Sequence, residues 1–296
     1  RLNNGQVCSL FAEAAALATF NALGYPAPQT SYAWVGGTPW QNANLEIPYT
    51  VVEVYKRSFC DAHKSFFGGG CENIWEGAGL DVGGGWQAGF ADSCQISACN
   101  QERLDAFAEV VDASFYTRNF DEATEPFMDW DAFHTFQCLE WLLWVGDDYL
   151  HNSNNVVLTE GQDGQFRFLP YSTDISAGLA WGGAYANTPL PGFSMLATGC
   201  QQDRSCWMAT MDRCEEVIDA FEALDPAATI VDPLWSAAQA QGMIRDGDDV
   251  NFGIIREFYA TRADLAREEL PTYTNPIQWA EDYWGGGFYT FGGFLS

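Results

Sequence analysis

A chain of 296 residues, 47% of them hydrophobic, can bury a sizeable core and reads as one unit rather than as independent domains. Its formal net charge of −27, from 13 basic and 40 acidic residues, argues strongly against nucleic acid as a partner, because a polyanion is repelled. No apolar run reaches the roughly 18 residues that a membrane span requires, so no span is expected.

The chain opens on Arg1 with no signal peptide, which reads as the processed or truncated form of an exported protein. Residues 8–23 carry apolar side chains at helical spacing with Glu13 as the only charge, and Gly24 before Pro26 is a helix stop. Residues 29–35 and 49–55 alternate or run apolar as strands, joined by a turn region at Gly36-Gly37. Residues 60–100 are rich in glycine and cysteine but lack the strand-turn-helix context of a phosphate loop. They read as a disulfide-stapled insertion, with Trp75 and Trp86 as packing anchors.

Two helices follow, over residues 101–114, capped from Asn100, and over residues 131–145, capped by Asp129 or Asp131. Phe133, Phe136, Leu139, Leu143 and Trp144 seat the second, which delivers Asp147 at its C-terminal end. Residues 155–159 and 165–169 read as strands around the Asp163-Gly164 turn. Helices over 212–224 and 258–270 come next, the latter carrying Arg262. Residues 271–296 form an aromatic and glycine-rich tail that either straps the domain or docks another subunit.

Nine cysteines suit an exported protein. Cys94 and Cys99 can close a tight loop, Cys60 and Cys71 can bracket Gly68-Gly69-Gly70, and Cys200, Cys206 and Cys214 gather around one helix start. Cys138 reads as a plain core cysteine, and the odd count leaves a thiol free or intermolecular. Zinc is the lesser reading, since no C-x2-C pair occurs and His63, His134 and His151 are far apart in sequence.

Chemistry concentrates in Asp147, Asn152 and Asp174. In kinases an aspartate lies by the attacking hydroxyl, an amide oxygen five residues on holds a metal, and a carboxylate beyond a β-hairpin holds metal on the phosphates. These three residues occur in that order and spacing. The bland alternative is that D-x4-N arises often in acidic chains and only caps helices or makes turns.

Asp147-Asp148-Tyr149-Leu150-His151-Asn152 and the run from Gly164 to Asp174 resemble the D-G-Y-x-H-N motif and the G-x-F-x-F-x-P-W-D-x-D hairpin of the CotH family, spore-coat protein kinases with an atypical kinase fold. Leu2-Asn3-Asn4, Gly24-Tyr25-Pro26-Ala27-Pro28 and residues 47–53 fall in the family's order, and the resemblance covers residues 1–270. It implies an α+β, two-lobed kinase-like fold, with residues 1–59 a partial small lobe and hinge, 60–100 an insertion, 101–270 the large lobe and 271–296 a tail.

By the same resemblance, ATP with Mg2+ or Mn2+ is the expected cofactor pair; separately, the excess of acidic residues suits Ca2+ on the surface. Asp147 is the expected base, Asn152 and Asp174 the metal ligands, and Glu13 the partner of an ATP-binding lysine. Glu53 at the hinge and His151 are assigned to the cofactor, His151 having a structural role as its other reading. The chain departs from the pattern twice: Ser172 replaces a carboxylate, and neither Lys56 nor Lys64 stands where the lysine belongs. Either the lysine-bearing strands precede Arg1 in a longer chain, or the phosphate clamp is incomplete. The expected function is thus an exported protein Ser/Thr kinase, or else a kinase-fold structural component of a coat, filament or cell surface. Its partners would be a protein substrate or coat protein, or further copies of itself gathered through the tail.

Overall fold

The computed structural model describes residues 1–3, 9–35, 47–77, 79–177, 179–180, 183–184 and 189–278. The Gly36-Gly37 turn and most of the aromatic tail lie outside these residues, as does Cys8. The fold is α+β, rich in helix, with small antiparallel sheets.

The N-terminal part contains β1 (Leu2–Asn3), α1 (Ala12–Ala22), β2 (Thr30–Val35) and β3 (Ile47–Val52). The strands form one antiparallel sheet in the order β1-β3-β2, with Leu2 opposite Val51 and Thr30 opposite Val52. Alanines line α1 nearly all round, so its backbone can approach neighbours closely and the helix is buried rather than amphipathic. It starts four residues later than expected, where Ser9 Oγ accepts from the amides of Phe11 and Ala12. Gly24, at φ +82°, ends it as expected, and Asn21 pins the exit through the amide and carbonyl of Ala27.

After α2 (Arg57–Ala62), β4 (Cys71–Gly77) corrects the view of residues 60–100 as an insertion alone. This strand joins β5 (Val156–Gly161) and β6 (Phe166–Pro170) in the order β4-β5-β6, so the glycine-rich segment supplies one edge of the sheet that carries the expected hairpin. Trp75 on β4 is fully buried and stacks near Phe166, whereas Trp86, at 61% exposed, is no packing anchor.

Between β4 and β5 come α3 (Glu102–Ser114), α4 (Phe120–Thr124), α5 (Trp130–Leu142) and α6 (Tyr149–Asn152). The caps fall where the sequence puts them: Asn100 accepts from the Glu102 amide, and Asp129 from the Ala132 amide at 3.0 Å. Asp129 also accepts from Arg167 of β6 at 2.7 Å, which ties helix start to sheet. The short β7 (Leu179–Ala180) and β8 (Gly183–Ala184) lead to α7 (Met195–Gln202), α8 (Arg204–Leu224), α9 (Asp232–Ala240) and α10 (Asp248–Glu269). Asp203 lengthens α8 beyond expectation, because its carboxylate accepts from the amides of Ser205 and Cys206.

All eight described cysteines are paired, as Cys60–Cys71, Cys94–Cys99, Cys138–Cys214 and Cys200–Cys206. The first two pairs are those the spacing suggests. Cys138 is not a plain core thiol: it bolts α5 to α8. Four disulfides fit a protein finished in an oxidising compartment, and among the described residues no helix is long and apolar enough to cross a membrane.

Candidate functional site

The site is built where α5 ends. Arg262 of α10, with no exposed surface, donates to the carbonyls of Leu142 (2.9 Å) and Trp141 (3.5 Å) and to Glu269 (3.0 Å), and its guanidinium lies over the rings of Trp141 and Trp144. A cation on the last carbonyls complements the helix dipole and fixes the direction in which the chain leaves α5. Trp144 then turns left-handed at φ +48°. Two backbone bonds, Gly146 N to Ile175 O at 2.8 Å and Ala177 N to Leu143 O at 2.9 Å, stitch this exit to the loop after β6. Asp147 and Asp174 each stand one residue from the Gly146–Ile175 bond.

Asp147 is held by three asparagines. Asn152 Nδ2 donates to Oδ1 at 3.1 Å, Asn154 Nδ2 to Oδ2 at 3.0 Å, and Asn155 Nδ2 to both Oδ2 (2.9 Å) and the main-chain carbonyl (2.7 Å). The next aspartate serves structure. Asp148 is buried, caps α6 through the His151 amide, and meets His151 Nδ1 at 2.9 Å, while His151 Nε2 lies 3.0 Å from the Pro189 carbonyl. Both ring nitrogens face acceptors, so the imidazole donates twice. Burial opposes its charge, but Asp148 and the Pro189 carbonyl prevail and hold the pKa above its ordinary value. His151 is thus fully engaged inside the fold.

Asp81 clamps the glycine-rich segment to the same loop. It accepts from Tyr149 Oη (2.5 Å), Ser153 Oγ (3.2 Å), and the Met195 (2.8 Å) and Val82 (2.7 Å) amides. Burial pushes its carboxyl up to about 6, while these four donors pull the other way. Glu140 on α5 is buried deeper still, and burial together with the nearby Asp148 raises its pKa well above the ordinary carboxyl value.

On the other wall Asp174 is nearly buried, and Ser172, where the CotH pattern has a carboxylate, donates to Asp174 Oδ1 at 3.1 Å. Arg1, just ahead of β1, reaches the same wall. Its guanidinium pairs with Glu13 of α1 and lies 4.2 Å from the centre of the Tyr171 ring. Burial opposes the Arg1 charge, but Glu13, Tyr171 and Asp174 outweigh it and raise its pKa. Tyr171 N donates in turn to Asn155 O at 3.2 Å. A continuous set of contacts therefore runs from Asp147 through Asn155 and Tyr171 to Arg1 and Glu13, with Asp174 beside it.

Glu53 stands apart from this set. It is exposed at the end of β3, where its carboxylate accepts from the Gln29 amide at 3.1 Å.

Among the described residues, six non-glycine residues take left-handed backbone angles, and five of them (Trp144, Ser153, Asn155, Ser172 and Ala177) flank this site. Such conformations are disfavoured for residues with a Cβ, and they persist where surrounding structure fixes them, as at ligand sites. The donor set on offer is carboxylate and amide oxygen, which suits a hard cation such as Mg2+ or Mn2+. With Asp174 the main carboxylate, such an ion would take its remaining ligands from phosphate oxygens and water.

The sequence motif locates Asp147, Asn152 and Asp174 but misses Asn154, Asn155, Arg1 and Asp81. The Asn152-Ser153-Asn154-Asn155 run is a legible signal for the asparagine cradle, whereas nothing local marks Asp81 or Arg1. The chain matches no protein-family model and no curated protein.

Proposed function

We propose that this chain is an exported, CotH-like phosphotransferase that transfers the terminal phosphate of ATP to a protein serine or threonine with Mg2+ or Mn2+. The order β1-α1-β2-β3 supports a kinase-like small lobe in which α1 is the regulatory helix, and the helical remainder supports a large lobe. The observation that carries the reading is the unbroken contact path from Asp147 to the Arg1–Glu13 pair beside Asp174.

In this reading Asp147, oriented by its asparagines, accepts the proton of the attacking hydroxyl. Asp174 and the Asn152 amide oxygen hold the metal, which when bound neutralises charge developing on the phosphates. Arg1, steadied by Glu13, acts as a cation facing the phosphates. The work is positional and electrostatic, with no covalent intermediate on the protein.

A second reading, a kinase fold retained for a structural role, is favoured by two observations. Asp147 already receives three asparagine amides, and Ser172 supplies no charge for a metal. Calorimetric titration of ATP with Mn2+ into the chain and into its Asp174→Ala and Arg1→Ala variants separates the two. Saturable binding that Asp174→Ala abolishes and Arg1→Ala weakens is expected for the phosphotransferase; no binding to the unmodified chain overturns it in favour of the structural role.

A further inference from the structure

Sulfur and imidazole converge where α5, α7 and α8 meet. His134 and Cys138 lie four residues apart on α5, and Cys206, Thr210 and Cys214 repeat at the same spacing on α8, so each helix presents one row to the other. Cys200 arrives from α7. Thr210 sits at the centre, its hydroxyl 2.9 Å from His134 Nδ1 and 3.7 Å from Cys200 Sγ, and its carbonyl 3.5 Å from Cys138 Sγ.

One ring nitrogen of His134 and the sulfurs of Cys200 and Cys206 all lie within 4.8 Å of one another, and all three residues are buried. Among the described residues no other group of three or more histidine, cysteine or acidic side chains is gathered so closely. The wide separation of the histidines in sequence, which argued against zinc, is undone here in space for His134. In the oxidised chain the two sulfurs are bonded to each other and cannot act as thiolate ligands.

We propose that the reduced chain binds Zn2+ between Cys200, Cys206 and His134, so that a disulfide and a metal ion are alternative occupants of one buried site. A dithiol reductant supplies two electrons and two protons to the Cys200–Cys206 bond and is itself oxidised to a disulfide. Zn2+ then displaces the two thiol protons and takes two thiolates and the imidazole. Tetrahedral zinc, with Zn–S near 2.3 Å and Zn–N near 2.0 Å, separates its ligand atoms by roughly 3.5 to 3.8 Å. The sulfurs must part by less than about 2 Å from their bonded distance, and the 4.8 Å limit on the three donor atoms already spans this geometry. The fourth position takes water, as in other zinc sites with three protein ligands. A chain made in a reducing compartment and finished in an oxidising one passes through the reduced state, and the ion would hold the α7–α8 junction until the disulfide forms.

The test uses the full chain, reduced with a dithiol, desalted under nitrogen and titrated with Co2+. One Co2+ per chain, with a thiolate-to-cobalt charge-transfer band that added Zn2+ removes, is expected. The band should vanish in Cys200→Ser/Cys206→Ser, and affinity should fall in His134→Gln by at least about tenfold, the loss that even an outer-shell partner can cause. No band, or an equal band in the double variant, overturns the proposal. Alkylation read by mass spectrometry guards against variants that fail to fold. Zn2+ should shield Cys200 and Cys206 of the reduced, unsubstituted chain while Cys94 and Cys99 react, and equal labelling of all four overturns the site.

Discussion

The side-chain amide of Asn155 donates to both the carbonyl and the carboxylate of Asp147, at 2.7 and 2.9 Å, from a residue whose own backbone is left-handed at φ +47°. Asparagine tolerates that angle better than most residues and also brings the donor, so one residue satisfies two requirements. Asn155→Val is expected to lose about 2 to 3 kcal/mol of stability, from the strained backbone and the unmade bonds together. Asn155→Gly relieves the backbone and should lose only about 1 kcal/mol. Urea midpoints check the order, and two variants equal to the parent would show that the cradle is not a stabilising element.

Arg262 anchors the end of α5 from a position with no solvent contact. Arg262→Met should cost about 3 kcal/mol, because it removes a buried cation together with its bonds to Glu269 and to the Leu142 and Trp141 carbonyls. Arg262→Lys keeps the charge but not the planar fork, and should recover only part of the loss. Denaturant unfolding with an unchanged slope is the measurement, and a Lys variant as stable as the parent would refute the role of the fork.

The His151–Asp148 contact predicts a particular pH dependence. With the folded pKa of His151 raised above its ordinary 6.5, the stabilisation is complete below about pH 6.5 and is lost as pH rises through the folded-state value. The thermal midpoint should therefore decline between neutral and alkaline pH, and His151→Gln should flatten that decline. An identical profile in the variant would assign the decline to other groups.

Disulfides of different span should differ in worth. Cys138–Cys214 encloses 76 residues of sequence and Cys94–Cys99 only 5. By loop-closure entropy the first contributes on the order of 4 kcal/mol and the second about 2. Paired serine substitutions, compared by guanidinium midpoint, check the ranking, and equal losses would put the effect in native contacts instead.

Much of the fold is legible because its signals are local. The stop at Gly24, the caps at Asn100 and Asp129, and the Asp163-Gly164 turn act within a few residues of where they are read. The site is legible only in part, because half of it is made by residues distant in sequence. Asp81 reaches Tyr149 across 68 positions and Arg262 reaches Leu142 across 120, with no periodicity to announce either. Cys138 misleads for a related reason: an apolar helix supplies every mark of a core thiol, and its partner is visible only once α8 is laid alongside.

The bond between Cys138 and Cys214 encloses every residue from Asp147 to Asp174 in a covalent ring. Stretched by its two ends, the oxidised chain would yield its flanks while about 260 Å of contour stayed hidden in that ring. A force-extension trace of the oxidised chain should therefore end short by that length relative to Cys138→Ser/Cys214→Ser, in which the other disulfides stay closed. The Asp147-to-Asp174 part of the candidate site would be carried through mechanical unfolding as a closed loop that tension on the termini cannot straighten.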